Sequence, residues 1–287
     1  MSRLFFIIEL NNNEFAKIVK IGTPNTHPTL FFINKIQFTA KTGVIADRFE
    51  SLCHESTITR RRARHTAPPL TDDRPKALVA VGGQTLLERN IRFLKSEGVS
   101  EIIVNIHHFG EQIVSFVRQH DFGLPVRISD ERDLLRDTGG AIRHAAPFFT
   151  GEEDFLVYNV DVLSDICLKK LYDAHKRQRN LATMAVRHRQ SERQLLFGSD
   201  LRLVGRYSPD DAAAREPGMH IAAFSGIHLL STRIFNMLPE EERFPILPVY
   251  LELTRNEGIR GFFHDDSGWM DMGRPEHIAA WEAQYKR

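Results

Sequence analysis

Asp161 stands just past an apolar run, 155–159 (FLVYN), that reads as a buried strand. A carboxylate at the carboxyl end of a strand is well placed for a divalent cation. Mg²⁺ takes one or two carboxylates and completes its shell with water and substrate phosphate oxygens. The same aspartate would serve as a helix cap or an Asx turn. Asp271, in Trp269-Met270-Asp271-Met272-Gly273, follows a late strand at 259–264. Two such aspartates could share one Mg²⁺. The alternative is a cap on a helix starting near Arg274, punctuated by Gly273 and Pro275. Asp137-Thr138-Gly139-Gly140 precedes a helix. Paired glycines let a backbone approach a flat ligand, and helix N-termini attract phosphate; a plain tight turn explains the pair equally. Lys76 is the one charge in Pro75-Lys76-Ala77-Leu78, where it could act as a point-charge phosphate binder or snorkel to solvent. The 13 histidines include no H-E-x-x-H, so the adjacent His107 and His108 read as surface or satisfied core residues.

These groups need a scaffold. Apolar spacing predicts helices over 85–98, 111–120, 139–149, 168–179, 245–256 and 275–285. Strands are expected at 101–105, 126–129, 155–159, 181–187, 224–230 and 259–264, with further candidates near 194–198 and 202–207. Alternating strands and helices imply an α/β fold with a doubly wound, mostly parallel sheet. The strand-rich middle implies a small antiparallel excursion that could cover a site. In such sheets ligands sit at the carboxyl ends of the strands, near the switch in strand order, which is where Asp161 and Asp271 fall.

Composition bounds the function. The chain has 287 residues, 42% apolar and 26% charged, which excludes collagen-like and globally disordered readings. A formal net charge of +1 gives no bulk electrostatic case for nucleic acid. No apolar run reaches the roughly 18–20 residues of a membrane span. The apolar run at 4–8 is shorter than the core of a signal peptide. With only 2 cysteines, neither a disulfide framework nor a cysteine zinc site is expected, and a cytoplasmic location is.

The chain is not uniform. Phe, Ile, Asn and Lys fill 23 of residues 1–53 but only 39 of the 214 residues from 74 to 287. Between these regions lies an abrupt basic run at 60–65 (RRRARH).

Taken in order, LTDDRPKALVAVGGQTLLERNI (70–91), VNIHHFGEQI (104–113), LRDTGGAI (135–142), FLVYNVDVLSD (155–165), FSGIHLL (224–230) and WMDMGRPEHI (269–278) resemble the sugar-1-phosphate nucleotidyltransferases. The resemblance covers residues 70–287. It lies nearest the short bacterial branch acting on N-acetylmuramate 1-phosphate or mannose 1-phosphate. It implies a Rossmann-like nucleotidyltransferase fold and a Mg²⁺-dependent enzyme supplying NDP-sugars, for instance to cell-wall synthesis. A sugar 1-phosphate would attack the α-phosphorus of an NTP and release pyrophosphate. The resemblance places Asp161 and Asp271 on Mg²⁺ and Lys76 on phosphate. It sets Thr138, Gly139 and Gly140 near the base, and Asn159, Ser225 and Gly226 near the sugar. Asp137 stands where relatives often carry Glu.

One departure matters. The family opens with a strand and a glycine-rich phosphate loop, L-A-A-G-x-G-T-R-L, just before the PKAL lysine. Here that place reads RRRARHTAPPLT, and no G-x-G-x-R lies upstream. Back-translation of 54–69, read one base later, can spell M-K-A-L-L-L-A-A-G-L-G-T-R-L-R and rejoin the frame at Leu70 with one added base. The reading that follows makes 54–69 a frameshifted remnant of the first strand and loop, and 1–53 translated upstream DNA, disordered or poorly packed. The chain as written would then be inactive. A regulatory homologue that senses nucleotides without turnover is one alternative. A GT-A-type glycosyltransferase is another, although Val162 and Leu163 follow Asp161 where a D-x-D pair is expected.

Overall fold

The computed structural model describes residues 4–9, 32–35, 73–210 and 216–285. The expected remnant at 54–69 lies outside the described residues, as does most of 1–53.

Two strands of that first stretch are described, β1 (Leu4–Glu9) and β2 (Phe32–Lys35). The chain continues with a 3₁₀ turn at Lys76–Leu78, the hairpin β3 (Ala80–Val81) and β4 (Gln84–Thr85), and helix α1 (Leu86–Ser96). Thr85 caps α1 by accepting from the Glu88 amide at 3.1 Å, the first half of a capping box. Then come β5 (Ile102–Ile106), α2 (Gly110–Gln119), β6 (Val126–Asp130) and α3 (Asp137–His144). Next are β7 (Asp154–Asn159), β8 (Val162–Ser164), α4 (Leu168–Gln178) and β9 (Ala182–Arg187). Strands β10 (Gln194–Phe197), β11 (Leu203–Arg206) and β12 (His220–Ser231) lead to α5 (Ile246–Leu253). The described chain closes with β13 (Ile259–Phe263), β14 (Trp269–Asp271) and α6 (Pro275–Tyr285).

Ten strands form the main sheet, in the order β11-β10-β12-β7-β1-β2-β5-β6, with β9 and β13 joined through β12. Strands β1, β5, β6, β7, β9, β10 and β13 run one way; β2, β11 and β12 run against them. This is the α/β fold with a mostly parallel sheet, and β10–β12 are its antiparallel excursion. β1 occupies the position next to β7, in parallel register from Phe6 opposite Leu156 to Glu9 opposite Asn159.

The core explains why these segments are strands. All five residues of β5 are buried, as are Asp154–Tyr158 of β7 and the first five of β9, the continuous burial expected of a sheet covered on both faces. The aromatic rings of Phe149, Phe155 and Phe235 stack inside it, with centroids 4.3–5.6 Å apart.

Two expectations change. The helix expected over 139–149 ends at His144 and continues only as a 3₁₀ turn at Ala146–Phe149, because Pro147 has no amide to continue the α-helical ladder. Asp271 does not simply trail the strand at 259–264. It ends a strand of its own, β14, which pairs with β8.

Candidate active site

The carboxyl end of β7 builds the site. The chain leaves β7 at Asn159, turns through Val160 and Asp161, and re-enters as β8. The buried amide of Asn90 in α1 holds that turn, donating to the Val160 carbonyl at 2.8 Å. The antiparallel pairing of β8 with β14 sets Val162 opposite Asp271, and the Met272 amide donates to the Asp161 carbonyl at 2.6 Å. Two aspartates 110 positions apart in sequence are thus held by backbone bonds at one point.

Lys76 joins them. Its Nζ lies 3.9 Å from Asp161 Oδ2, with both side chains largely buried. All three groups converge on Gly273: a Cβ there would stand 2.8 Å from Asp271 Oδ1, 3.3 Å from Asp161 Oδ2 and 3.4 Å from Lys76 Nζ. A side chain at 273 would fill the space the three groups face. Burial pushes the Asp161 carboxyl up to about 7; Asp271 raises it further, and Lys76 pulls it back. Among the described residues, Asp161 Oδ2 is buried without a hydrogen-bond partner. An orphaned carboxylate oxygen beside a second carboxylate fits a hard divalent cation. Among the described residues no cluster of three or more His, Cys, Asp and Glu could hold a metal. A pair is what Mg²⁺ requires when substrate phosphates supply the rest.

The other expected residues are placed differently. Gly139 and Gly140 open α3, but both amides donate to the Phe244 carbonyl, at 2.7 and 3.1 Å, and Thr138 Oγ1 accepts from the Ile246 amide at 2.6 Å. These two amides are therefore not open to a phosphate. The glycines are required by close packing, since a Cβ at Gly139 would meet Phe244 at 2.2 Å and one at Gly140 the Glu242 carbonyl oxygen at 2.1 Å. Asp137 takes φ 58° at this junction, a left-handed conformation that Asp tolerates better than most residues.

Ser225 is fully buried and shares a 2.7 Å hydrogen bond with His264 Nε2, while its carbonyl accepts from Trp269 Nε1 at 2.9 Å. Its hydroxyl ties β12 to the chain beyond β13 and does not face the carboxylates as a free group. Gly226, at φ 77°, sits within the register shift between β12 and β9, and a Cβ there would press on Asn159 Cγ at 2.9 Å. The structure therefore brings Asn159 and Gly226 together two residues from Asp161.

Sequence reasoning missed Asn90, the spatial role of Gly273, and Arg189. The Arg189 guanidinium lies 4.6 Å over the Trp269 ring and feels the charge of Asp271. No motif marks it; a half-buried arginine becomes visible only once the chain after β9 is packed against Trp269 of β14.

A family model described as the MobA-like NTP transferase domain matches residues 71–220. The chain belongs to this family. The match includes Lys76, Thr138, Gly139, Gly140, Asn159 and Asp161; Ser225, Gly226 and Asp271 lie beyond it. An N-acetylmuramate alpha-1-phosphate uridylyltransferase of Caulobacter vibrioides is 29% identical over 228 residues, spanning 75% of this chain and 90% of that one. A mannose-1-phosphate guanyltransferase of Gibberella zeae is 26% identical over 230 residues, spanning 76% of this chain but only 60% of the relative's length. The crystal structure of HddC from Yersinia pseudotuberculosis superposes with a TM-score of 0.61 at 20% identity, covering 74% of this chain and 91% of that one. That last likeness is one of fold. As an NTP transferase, the chain has its converged lysine and carboxylates where a doubly wound sheet binds ligands.

Proposed function

We propose that this NTP transferase fold serves transfer of a nucleoside monophosphate from an NTP to a sugar 1-phosphate, giving an NDP-sugar and pyrophosphate. The observation that carries the reading is the convergence of Lys76, Asp161 and Asp271 on Gly273. In such a transfer a phosphate oxygen of the sugar phosphate bonds to the α-phosphorus as the bond to pyrophosphate breaks. Charge accumulates on phosphate oxygens, so positioning and charge compensation do most of the work. Asp161 and Asp271 would hold Mg²⁺, which would supply positive charge to the reacting phosphates. Lys76, fixed by the turn after Pro75, adds a second positive charge on the Asp161 side. Asn159, packed on Gly226 and two residues before Asp161, would face the sugar in this reading. UTP with N-acetylmuramate 1-phosphate, or GTP with mannose 1-phosphate, are the substrate pairs that the relatives favour.

The proposal extends to residues 54–69. The chain carries no G-x-G-x-R before Lys76, so the amides and arginine expected to cradle a triphosphate are missing from its sequence. The reading makes the chain as written inactive, and active once one base before codon 70 restores M-K-A-L-L-L-A-A-G-L-G-T-R-L-R-P. The test pairs DNA sequencing across codons 50–75 with pyrophosphate release by the purified chain and its restored form, against both substrate pairs with Mg²⁺. Release by the restored form alone supports the proposal. Equal release by the chain as written overturns the inactivity, and silence of both overturns the activity.

The cytoplasmic location is carried as part of the same proposal. Among the described residues, no helix is long and apolar enough to cross a membrane.

A further inference from the structure

Arg189 follows β9 and is half-buried. Its Nη2 donates to the Phe224 carbonyl at 3.0 Å, and the guanidinium stacks 4.6 Å from the Trp269 ring centroid. Other arginines of this chain are offset by carboxylates: Arg136 by Asp133, Arg202 and Arg260 by Asp200. Among the described residues Arg189 has no ion pair within 4 Å, and its Nε is buried with no hydrogen-bond partner. Burial depresses its basicity; the charge of Asp271 supports it, and Arg187 opposes it. A fixed, partly desolvated guanidinium without a counter-ion costs stability unless an anion completes it.

The surroundings say which anion. Arg189 lines a groove of about 410 Å³ together with Ser191, Gln194, Tyr207 and Ile221. Ser191, Gln194 and Tyr207 bring polar groups to a wall whose exposed surface is otherwise mostly apolar, as a sugar ring with hydroxyl edges and apolar faces requires, and the groove lies on the antiparallel excursion formed by β10–β12. Lys76 stands by Asp161, and Arg189 stacks on Trp269, two residues before Asp271 on β14.

We propose that Arg189 binds the phosphate of the acceptor, a sugar phosphate monoester whose sugar lies in the groove lined by Ser191, Gln194 and Tyr207. The proposal rests on the nucleotidyl-transfer reading and assigns its second substrate a seat. The planar fork of arginine matters here, because lysine cannot stack on Trp269, bond the Phe224 carbonyl and still offer a further N–H.

The test is calorimetric titration of the purified full chain and its restored form with α-D-mannose 1-phosphate, inorganic phosphate, D-mannose, UTP and GTP. Wild type is compared with Arg189→Met and Arg189→Lys, each checked for an unchanged thermal melt. The expected result is mannose 1-phosphate and phosphate binding weakened about 10- to 100-fold by Arg189→Met. The loss should be smaller in Arg189→Lys, with UTP and GTP binding unchanged and D-mannose binding poorly throughout. Unchanged monoester binding in Arg189→Met overturns the proposal. So does an equal loss of UTP and GTP binding, which would move Arg189 to the nucleotide. If Arg189→Met fails to melt as wild type does, Arg189→Lys alone decides by the same readout. If wild type binds UTP or GTP but no monoester, the seat fails while the nucleotidyl-transfer reading stands. If Arg189-dependent phosphate binding persists while neither form binds UTP or GTP, the nucleotidyl-transfer reading fails and the anion seat stands.

Discussion

At the scale of single residues, Asp161 and Glu131 show two uses of a buried carboxyl. Asp161 has a lysine and a second aspartate beside it and, among the described residues, an oxygen with no hydrogen-bond partner. Asp161→Asn keeps its size but removes the charge. Turnover of the restored enzyme is expected to fall by about 100-fold or more, with Mg²⁺ no longer stimulating it in a pyrophosphate-release assay. Glu131 is fully buried just past β6, with Asn105 and Arg136 beside its carboxyl. Burial pushes it up to about 8, with Asn105 and Arg136 pulling partly back. The folded chain therefore keeps this proton up to about pH 8, whereas the unfolded chain releases it near pH 4.5. Between those values the folded state binds more protons, so stability falls as pH rises through the window. Glu131→Gln should match wild type at pH 4.5 and exceed it by a growing margin up to pH 9. Urea midpoints at both pH values check this, and a gap independent of pH would refute it.

At the scale of elements, buried histidines and close-packed glycines fix how strands and helices meet. His228 on β12 shares a 2.8 Å hydrogen bond with Tyr250 of α5, and burial holds its imidazole down at about 3. His264 is held at about 4 for the same reason. Both stay neutral in the fold but take up protons near pH 6.5 when unfolded, so the stability they protect is lost as pH falls below about 6.5. His228→Gln should flatten that acid limb in melts between pH 7 and pH 4.5, whatever its cost at pH 7. Gly140 belongs to the same scale. Since a Cβ there would overlap the Glu242 carbonyl oxygen, Gly140→Ala should destabilise the fold by about 1–3 kcal/mol. The loss should appear in chemical denaturation even without ligand, because packing and not nucleotide contact demands the glycine.

At the scale of the whole molecule, the position beside β7 is the centre of the sheet, and β1 holds it through four backbone pairs from Phe6 to Glu9. The restored reading would offer M-K-A-L-L-L-A-A-G for that position, followed at once by a glycine-rich loop at the edge where Asp161 sits. A chain beginning at the restored methionine is expected to melt several degrees above the chain as written. Scanning calorimetry decides it, and a lower melting point would give residues 1–53 a structural role that the restored strand does not replace.

The sequence by itself determined the fold class and the pair of metal-binding candidates. Strand and helix periodicities survive in any parallel sheet covered on both faces, as in the buried runs of β5, β7 and β9. A carboxylate just past a strand is legible because the strand's end is. The helix break at Pro147 was missed, because the apolar spacing across 139–149 continues through it. Tertiary structure decided which candidates meet. Lys76, Asp161 and the Asp271–Gly273 stretch are far apart in sequence; the β8–β14 pairing brings the two aspartates together, and Lys76 meets them at Gly273. It also turned the Ser225 hydroxyl toward His264, spent the Gly139 and Gly140 amides on Phe244, and set the Arg189 guanidinium on Trp269 and the Phe224 carbonyl. Local periodicity reports only how one segment meets water. Which polar groups find partners depends on contacts between segments, and these exist only after the chain has packed.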